Sequence, residues 1–449
     1  MSLEKSPLKL LPSAVDALER GFAELPAFDA TVPGAARMGE VLSETAERLQ
    51  DNYPYFHPLY AGQMLKPPHP LARAAYALAS WINPNNHALD GGRASSAMEK
   101  EAVAQIAAMF GWPTHIGHLT SGGTMANLEA LWVAGRLAPG KKIVASTQAH
   151  YTHERISGVL QLPYAAVAVD TRGRMDMAAL EELLKAGDVG CVVATLGTTA
   201  LAALDPLDKI LELREKYGFR VHVDGAYGGY YTLLDGLSPA CAAIAHADSA
   251  VIDPHKHGLQ PYGCGCVVFR DPGVGVLYKH NSPYTYFSSK ELHLGEISLE
   301  CSRPGAAAVA LWSTMRLLPL TRDGEFAAGL ASCRRAALDL AARLEKDPRF
   351  IVPFPPELDI VVWAVDAPTA AEASDAAQRI FDEAAKLGLH LALASLPTAF
   401  FGGKWSEAES VLCLRSVLMK PEHEAWVPEI YRLLDAAART RSSGTSTTP

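Results

Sequence analysis

The chain has 449 residues, 49% hydrophobic and 20% charged, the composition of a globular protein large enough for two packed cores. Its formal net charge is −9 and no lysine- and arginine-rich block stands out, so the electrostatic footprint of a nucleic-acid binder is missing and a small molecule is the expected partner. Seven scattered cysteines without a CxxC give no zinc or disulfide framework, and no apolar run reaches the ~18 residues of a membrane-spanning helix.

The N-terminal stretch carries Glu4, Asp16, Glu19 and Arg20 on an amphipathic helical pattern and lacks the apolar core of a signal peptide, so a cytoplasmic protein is expected. Residues 1–60 read as a helical arm, aromatic and proline-rich from Tyr53. In the next unit, 61–320, apolar runs alternate with helical stretches: KKIVAST, AAVAVD, VGCVVATL, RVHVDGAY, SAVIDPH and GCGCVVFR, each bounded by turn residues. Such runs require a sheet covered on both faces, hence an α/β domain. Helix is expected over 310–345. A strand in DIVVWAV, a helix near 369–387, a strand in VLCLRSVLM and a helix over 422–439 then make residues 321–440 a smaller α+β domain. The low-complexity tail 441–449 is expected to lack structure.

Four segments carry the chemistry. In HLTSGGTMANL small residues lead into a helix, and N–H groups at its start, with Gly122 and Gly123 permitting close approach and Thr124 adding a hydroxyl, suit a phosphate; ordinary N-capping is the plainer alternative. In QAHYTH, His150 follows an apolar strand, where ligands of open α/β sheets bind and a flat ring could stack on an aromatic cofactor; a hydrogen-bonded core histidine fits equally well. In RVHVDGAYGG, Asp224 ends a strand. A carboxylate there asks for a cationic partner such as a protonated pyridine nitrogen, with Ala226 under the ring, or else it caps a turn. In DPHKHGLQPYGCG, Lys256 sits in a turn between apolar strands rather than among charges, the setting of a lysine that forms a Schiff base; His255 could meet a phosphate or a substrate carboxylate, and His257 is a further candidate.

With TSGGTMANL, QAHYTHERI, VVATLGTTALAALDPL, HVDGAYGG, DPHKHGLQPYGCG and LRSVLMKP in this order, the chain resembles the group II pyridoxal-5′-phosphate (PLP) decarboxylases, which include aromatic-L-amino-acid and glutamate decarboxylases. The resemblance runs from about Tyr53 to Pro421. It implies PLP fold type I, a large mixed-sheet domain plus a small C-terminal domain, and a homodimer with active sites at the interface and the arm wrapped on the partner subunit. It implies a Schiff base on Lys256, Asp224 at the pyridine nitrogen, and His150 and Ala226 on the two ring faces. Gly123, Thr124 and His255 would anchor the phosphate, and Thr195 would lie close to the ring. Between Arg270 and Arg303 relatives carry a longer loop with a tyrosine that reprotonates the carbanion; Tyr284, Tyr286 and His293 are the candidates here.

The leading expectation is decarboxylation of an L-amino acid to amine and CO2. The aromatic run Tyr53-Pro54-Tyr55-Phe56 leans toward an aromatic substrate, although it could equally pack the arm on a partner. An acidic substrate would need a cation, for which Arg93, Arg303 and Arg415 are available. SLECSRPGAAAVALW also resembles the sphingosine-phosphate lyase branch, which keeps a carbon–carbon lyase as the alternative. A binding protein without catalysis is disfavoured by the presence of both Lys256 and Asp224.

Overall fold

The structure, a computed structural model, describes residues 7–26, 28, 31–279 and 292–440. The expectations for Tyr284, Tyr286 and the tail 441–449 lie outside these residues. The larger sheet has the strands β1 (Ile116–Thr120), β2 (Lys142–Ser146), β3 (Tyr164–Val167), β4 (Val189–Thr195), β5 (Arg220–Asp224), β6 (Ser249–Ile252) and β7 (Gly265–Phe269), in the spatial order β1-β7-β6-β5-β4-β2-β3. Only β7 runs against the others, pairing antiparallel with both β1 and β6. The remaining pairs are parallel. The six apolar runs read from the sequence are β2 to β7. All seven residues of β4 are buried, as a strand covered on both faces requires. β1 was not foreseen: its sequence IGHLT is short and holds Gly117, where a Cβ would meet Val267 O at 2.5 Å.

Helices α1 (Leu11–Arg20) and α2 (Met38–Leu49) belong to the arm; α3 (Pro70–Ala79) and α4 (Leu89–Met109) lead into β1. The crossovers are α5 (Gly123–Leu137), α6 (Thr152–Val159), α7 (Met177–Leu184) and α8 (Leu207–Tyr217), followed by the short α9 (Pro239–Ala243) before β6. Local chemistry sets their ends. Asp176 caps α7 by accepting from Ala178 N and Ala179 N, at 2.8 and 2.9 Å, and Gly218, at φ 69°, stops α8.

The helix expected over 310–345 is two helices, α10 (Gly305–Leu317) and α11 (Glu325–Glu345), interrupted by Pro319 and Gly324. The smaller antiparallel sheet, ordered β10-β11-β9-β8, comprises β8 (Phe350–Ile351), β9 (Ile360–Val365), β10 (Ala392–Pro397) and β11 (Ser410–Val417), flanked by α12 (Ala370–Lys386) and α13 (His423–Arg439). Its core centres on Leu340, Trp363, Ile380, Leu414 and Leu434. Ala61 belongs to this core as well, because the strip around it is stitched to the small domain: Ala61 N donates to His390 O at 2.9 Å and Val417 N to Ala61 O at 2.7 Å. The end of the arm thus crosses the small domain before the chain enters the large one. No helix among the described residues is long and apolar enough to cross a membrane.

Candidate active site

Parallel strands present their carboxyl ends to one side of the sheet, and the loops there, with the start of α5, enclose a cavity of about 330 Å³. Gly122, Gly123, Thr124, His150, Thr195, Asp224, Ala226, His255 and Lys256 all line it. His293 does not. It is buried beside α4, its Nδ1 accepting from Leu89 N at 3.2 Å and its backbone N donating to Glu296 Oε2 at 3.2 Å.

Asp224, the last residue of β5, is buried at the cavity floor. His153 Nε2 donates to its Oδ2 at 2.8 Å, Asn127 Nδ2 to the same oxygen at 3.3 Å, and Ala226 N to its Oδ1 at 3.1 Å. Burial works against a charge here, but the His153 hydrogen bond and the nearby Lys256 ammonium outweigh it and hold the carboxyl well below the usual carboxylate range. Behind it, His222 Nε2 donates to Asn127 Oδ1 at 2.8 Å, and its Nδ1 meets Ser249 Oγ at 2.9 Å. Burial pushes the His222 imidazole down to about 3, so the ring stays neutral and the negative charge remains on Asp224. His222 and Asp224 share one face of β5, as period-two alternation dictates.

Lys256 Nζ lies 3.0 Å from Asp253 Oδ2. Asp253 follows β6 directly, and its Oδ1 is buried with no hydrogen-bond partner. Its carboxylate packs against the start of α5, where a Cβ on Gly123 would meet Oδ2 at 2.7 Å. His255 stacks on Tyr262 with ring centroids 4.6 Å apart and lies beside Gly122. His150 is held by Thr152 Oγ1 at 2.8 Å from its Nδ1 and stacks on Tyr151 at 4.4 Å. Burial lowers the pKa of both histidines, which favours neutral rings. The Thr195 backbone N donates to Asp205 Oδ2 at 2.8 Å, and burial raises that carboxyl to about 7. Thr195 Oγ1 has no partner although it is buried in the cavity wall. Asn127, His153, His222 and Asp253 were missed in the sequence. The i, i+3 spacing of Asp253 and Lys256 was the signal available for the last.

A second cavity, of about 400 Å³, adjoins the first through His150 and Thr199 and is lined by Gln63, Tyr151, Leu393 and Arg415. The guanidinium of Arg415 is taken up by backbone carbonyls, Thr199 O at 2.7 Å, Ala200 O at 3.0 Å and Gly62 O at 3.4 Å. Arg303 is also committed: it is buried, its Nη1 lies 2.8 Å from Glu99 Oε1, and it donates to Leu119 O. Arg93 is exposed and lines neither cavity.

These residues fit pyridoxal phosphate. The glycine-rich start of α5 leaves space for an oxyanion, the orphaned Thr195 hydroxyl asks for a polar ligand, and Asp224 holds a negative charge that no lysine or arginine among the described residues meets in a direct ion pair.

The sequence matches the profile of the pyridoxal-dependent decarboxylase conserved domain over residues 52–366. An L-tyrosine decarboxylase of Enterococcus faecium is 29% identical over 421 residues, covering 70% of this chain and 68% of that protein. A probable L-tyrosine/L-aspartate decarboxylase of Methanospirillum hungatei JF-1 is 31% identical over 276 residues, 61% of this chain and 72% of that one. Among solved structures, Oryza sativa TDC with PLP and tryptamine superposes with a TM-score of 0.78 at 19% identity, covering 98% of this chain and 99% of that one. Mouse CSAD gives 0.79 at 20% identity, over 95% and 92%.

Proposed function

Since the chain belongs to the pyridoxal-dependent decarboxylase family and is an amino-acid decarboxylase using pyridoxal phosphate, we propose that its substrate is an aromatic L-amino acid, released as amine and CO2. The observation that carries the substrate choice is the chemistry of the adjoining cavity. Arg415, the only arginine or lysine in its wall, already donates to three carbonyls, so an acidic side chain would find no uncommitted cation there among the described residues. Tyr151 and Leu393 offer apolar surface instead; of the curated relatives named above, one acts by its name on tyrosine and the other on tyrosine or aspartate, so the shared substrate is the aromatic one.

When bound, the cofactor supplies a sink for the electron pair left as the bond from Cα to the carboxylate breaks. The chain's residues do the rest. Lys256 Nζ would be the amine that holds the cofactor, with Asp253 at 3.0 Å to orient it. Asp224, kept ionised by His153 and Asn127, holds a proton at the pyridine nitrogen. Gly122, Gly123 and Thr124 at the start of α5, with His255 beside them, receive the phosphate, and Thr195 Oγ1 gives its hydrogen bond inside the cavity. His150 and Ala226, both in the cavity wall, would confine the ring of a bound cofactor and so limit the orientations open to the substrate. Tyr284 and Tyr286 are the sequence candidates for returning a proton to Cα. The reading includes a homodimer held partly by the arm, since α2 buries none of its residues and exposes Met38, Val41, Leu42 and Leu49 at helical spacing.

The test is CO2 release by the cofactor-loaded protein across the twenty amino acids plus DOPA and 5-hydroxytryptophan, with the amine identified by mass spectrometry. Release from tyrosine, tryptophan or their hydroxylated forms is expected. Release confined to glutamate or aspartate would overturn the substrate assignment.

A further inference from the structure

The turn that carries Lys256 borders another cavity, of about 620 Å³, separate from the two above and lined on this side by His257 and Leu259. Lys66 and Arg73, from the segment leading into and through α3, and Lys420, between β11 and α13, form much of its remaining polar wall. Lys420 is only 3% exposed; its Nζ donates to Tyr60 O at 2.6 Å and sits 5.3 Å from the Tyr60 ring centroid. Lys66 is half-buried, with its Nζ 3.1 Å from Met419 O. Among the described residues, no carboxylate lies within ion-pair distance of Lys66, Arg73 or Lys420. Glu325 and Glu422 also line the cavity, but both are exposed.

Burial penalises two like charges placed together: burial, then the charge of Lys66, push the Lys420 ammonium down to about 7, and burial lowers Lys66 too, against the weaker opposing pull of the buried Asp359 carboxylate and of Glu422. A lysine ammonium has three donors, and a backbone carbonyl satisfies one of them without neutralising the charge. An anion lodged between the two would supply acceptors to both ammonium groups together with negative charge at close range.

We infer that this cavity is a binding site for a compact dianionic oxyanion, a small dicarboxylate or inorganic phosphate, held by Lys66, Lys420 and Arg73. The site is coupled to the cofactor lysine through the backbone. His257 is next to Lys256 in sequence, is 1% exposed, and has neither ring nitrogen in a hydrogen bond, its Nε2 lying 3.3 Å from Asp359 Oδ2 without the alignment of one. Leu259, two residues on, holds a left-handed backbone at φ 64°, and its carbonyl accepts from His69 N at 2.8 Å. A ligand seated here therefore bears on the stretch of chain that directly follows Lys256.

Isothermal titration of inorganic phosphate and, separately, of malonate into the PLP-saturated protein tests this. Saturable binding of at least one is expected, and which of them binds more tightly identifies the source of the oxyanion. Lys66→Met and Lys420→Met should each weaken that binding by at least about tenfold, whereas Lys66→Arg, which keeps the charge, should hold it within about threefold. The substitutions themselves should leave cofactor absorbance unchanged in the absence of anion, because none of these residues lines the cofactor cavity. Should the methionine variants fail to fold, Arg73→Gln on the half-buried wall is expected to weaken binding by roughly threefold or more. No saturable binding of either anion, or binding indifferent to every one of these substitutions, would overturn the inference.

Discussion

The floor of the active site and the N-terminal arm solve opposite problems. At the floor, the buried carboxylate of Asp224 is ringed by His153, Asn127 and the Ala226 N–H, with His222 and Ser249 behind them, so one chain satisfies the charge from its own side. In the arm, α2 buries nothing, and Leu42 and Leu49 stand 69% and 62% exposed. The first region is a finished polar network that needs only its cofactor. The second is an amphipathic helix that lacks the surface it was patterned to cover. Substitutions at the floor should thus act on chemistry at any protein concentration, and substitutions in the arm on assembly, with effects that grow on dilution.

The largest effect is expected for Lys256→Ala. It should remove the visible absorbance of lysine-bound cofactor and lower turnover by about three orders of magnitude or more, without altering the sedimentation coefficient. A fully active variant would end the assignment of Lys256. Asp224→Asn keeps the shape of the floor but removes the charge; kcat should fall on the order of a hundredfold while the melting temperature changes little. Leu42→Glu in the arm should raise the dissociation constant of the dimer by about tenfold or more, since an apolar side chain of this size contributes ~2 kcal/mol when buried. Sedimentation at several concentrations reads this, and a dimer as tight as the wild type would mean that α2 faces water. The smallest effect belongs to Asn127→Ala, which leaves Asp224 with His153 and the Ala226 N–H; a roughly tenfold fall in kcat with a shifted cofactor absorbance is expected, and an unshifted spectrum would make Asn127 a packing residue only.

Much of this was legible in the sequence because strands buried on both faces must be written in continuous apolar residues, and β2 to β7 are. The residues that line the cavity sit where those runs stop, so position flagged Asp224 and the turn after β6, while Thr195 came only from the family resemblance. What stayed hidden depends on groups far apart in the chain. Asn127 and His153 meet Asp224 only because α5 packs on β4 and β5 and α6 packs on α5, and Lys66 and Lys420 share a wall only after the small domain folds back over the strip at Ala61. β1 was missed for a different reason. Its Gly117 is dictated by the approach of β7, a tertiary demand that overrides local strand propensity. The arginines offered as substrate cations, Arg303 and Arg415, are spent on Glu99 and on backbone carbonyls, which no spacing rule reveals.

The position of β7 also governs when the molecule can become competent during synthesis. β1 occupies an edge of the sheet and, among the described residues, has β7 as its only strand neighbour, so it leaves the ribosome long before its partner exists. The glycines proposed to receive the phosphate follow β1 after Ser121, and Gly265 at the start of β7 packs so tightly on them that a Cβ there would meet Gly122 C at 2.5 Å. The cradle is therefore closed by one of the last pieces of the sheet to be made. A nascent chain that has already completed β2 to β6 still has nowhere to put a cofactor, and a chaperone would find β1 the exposed edge to guard in that interval.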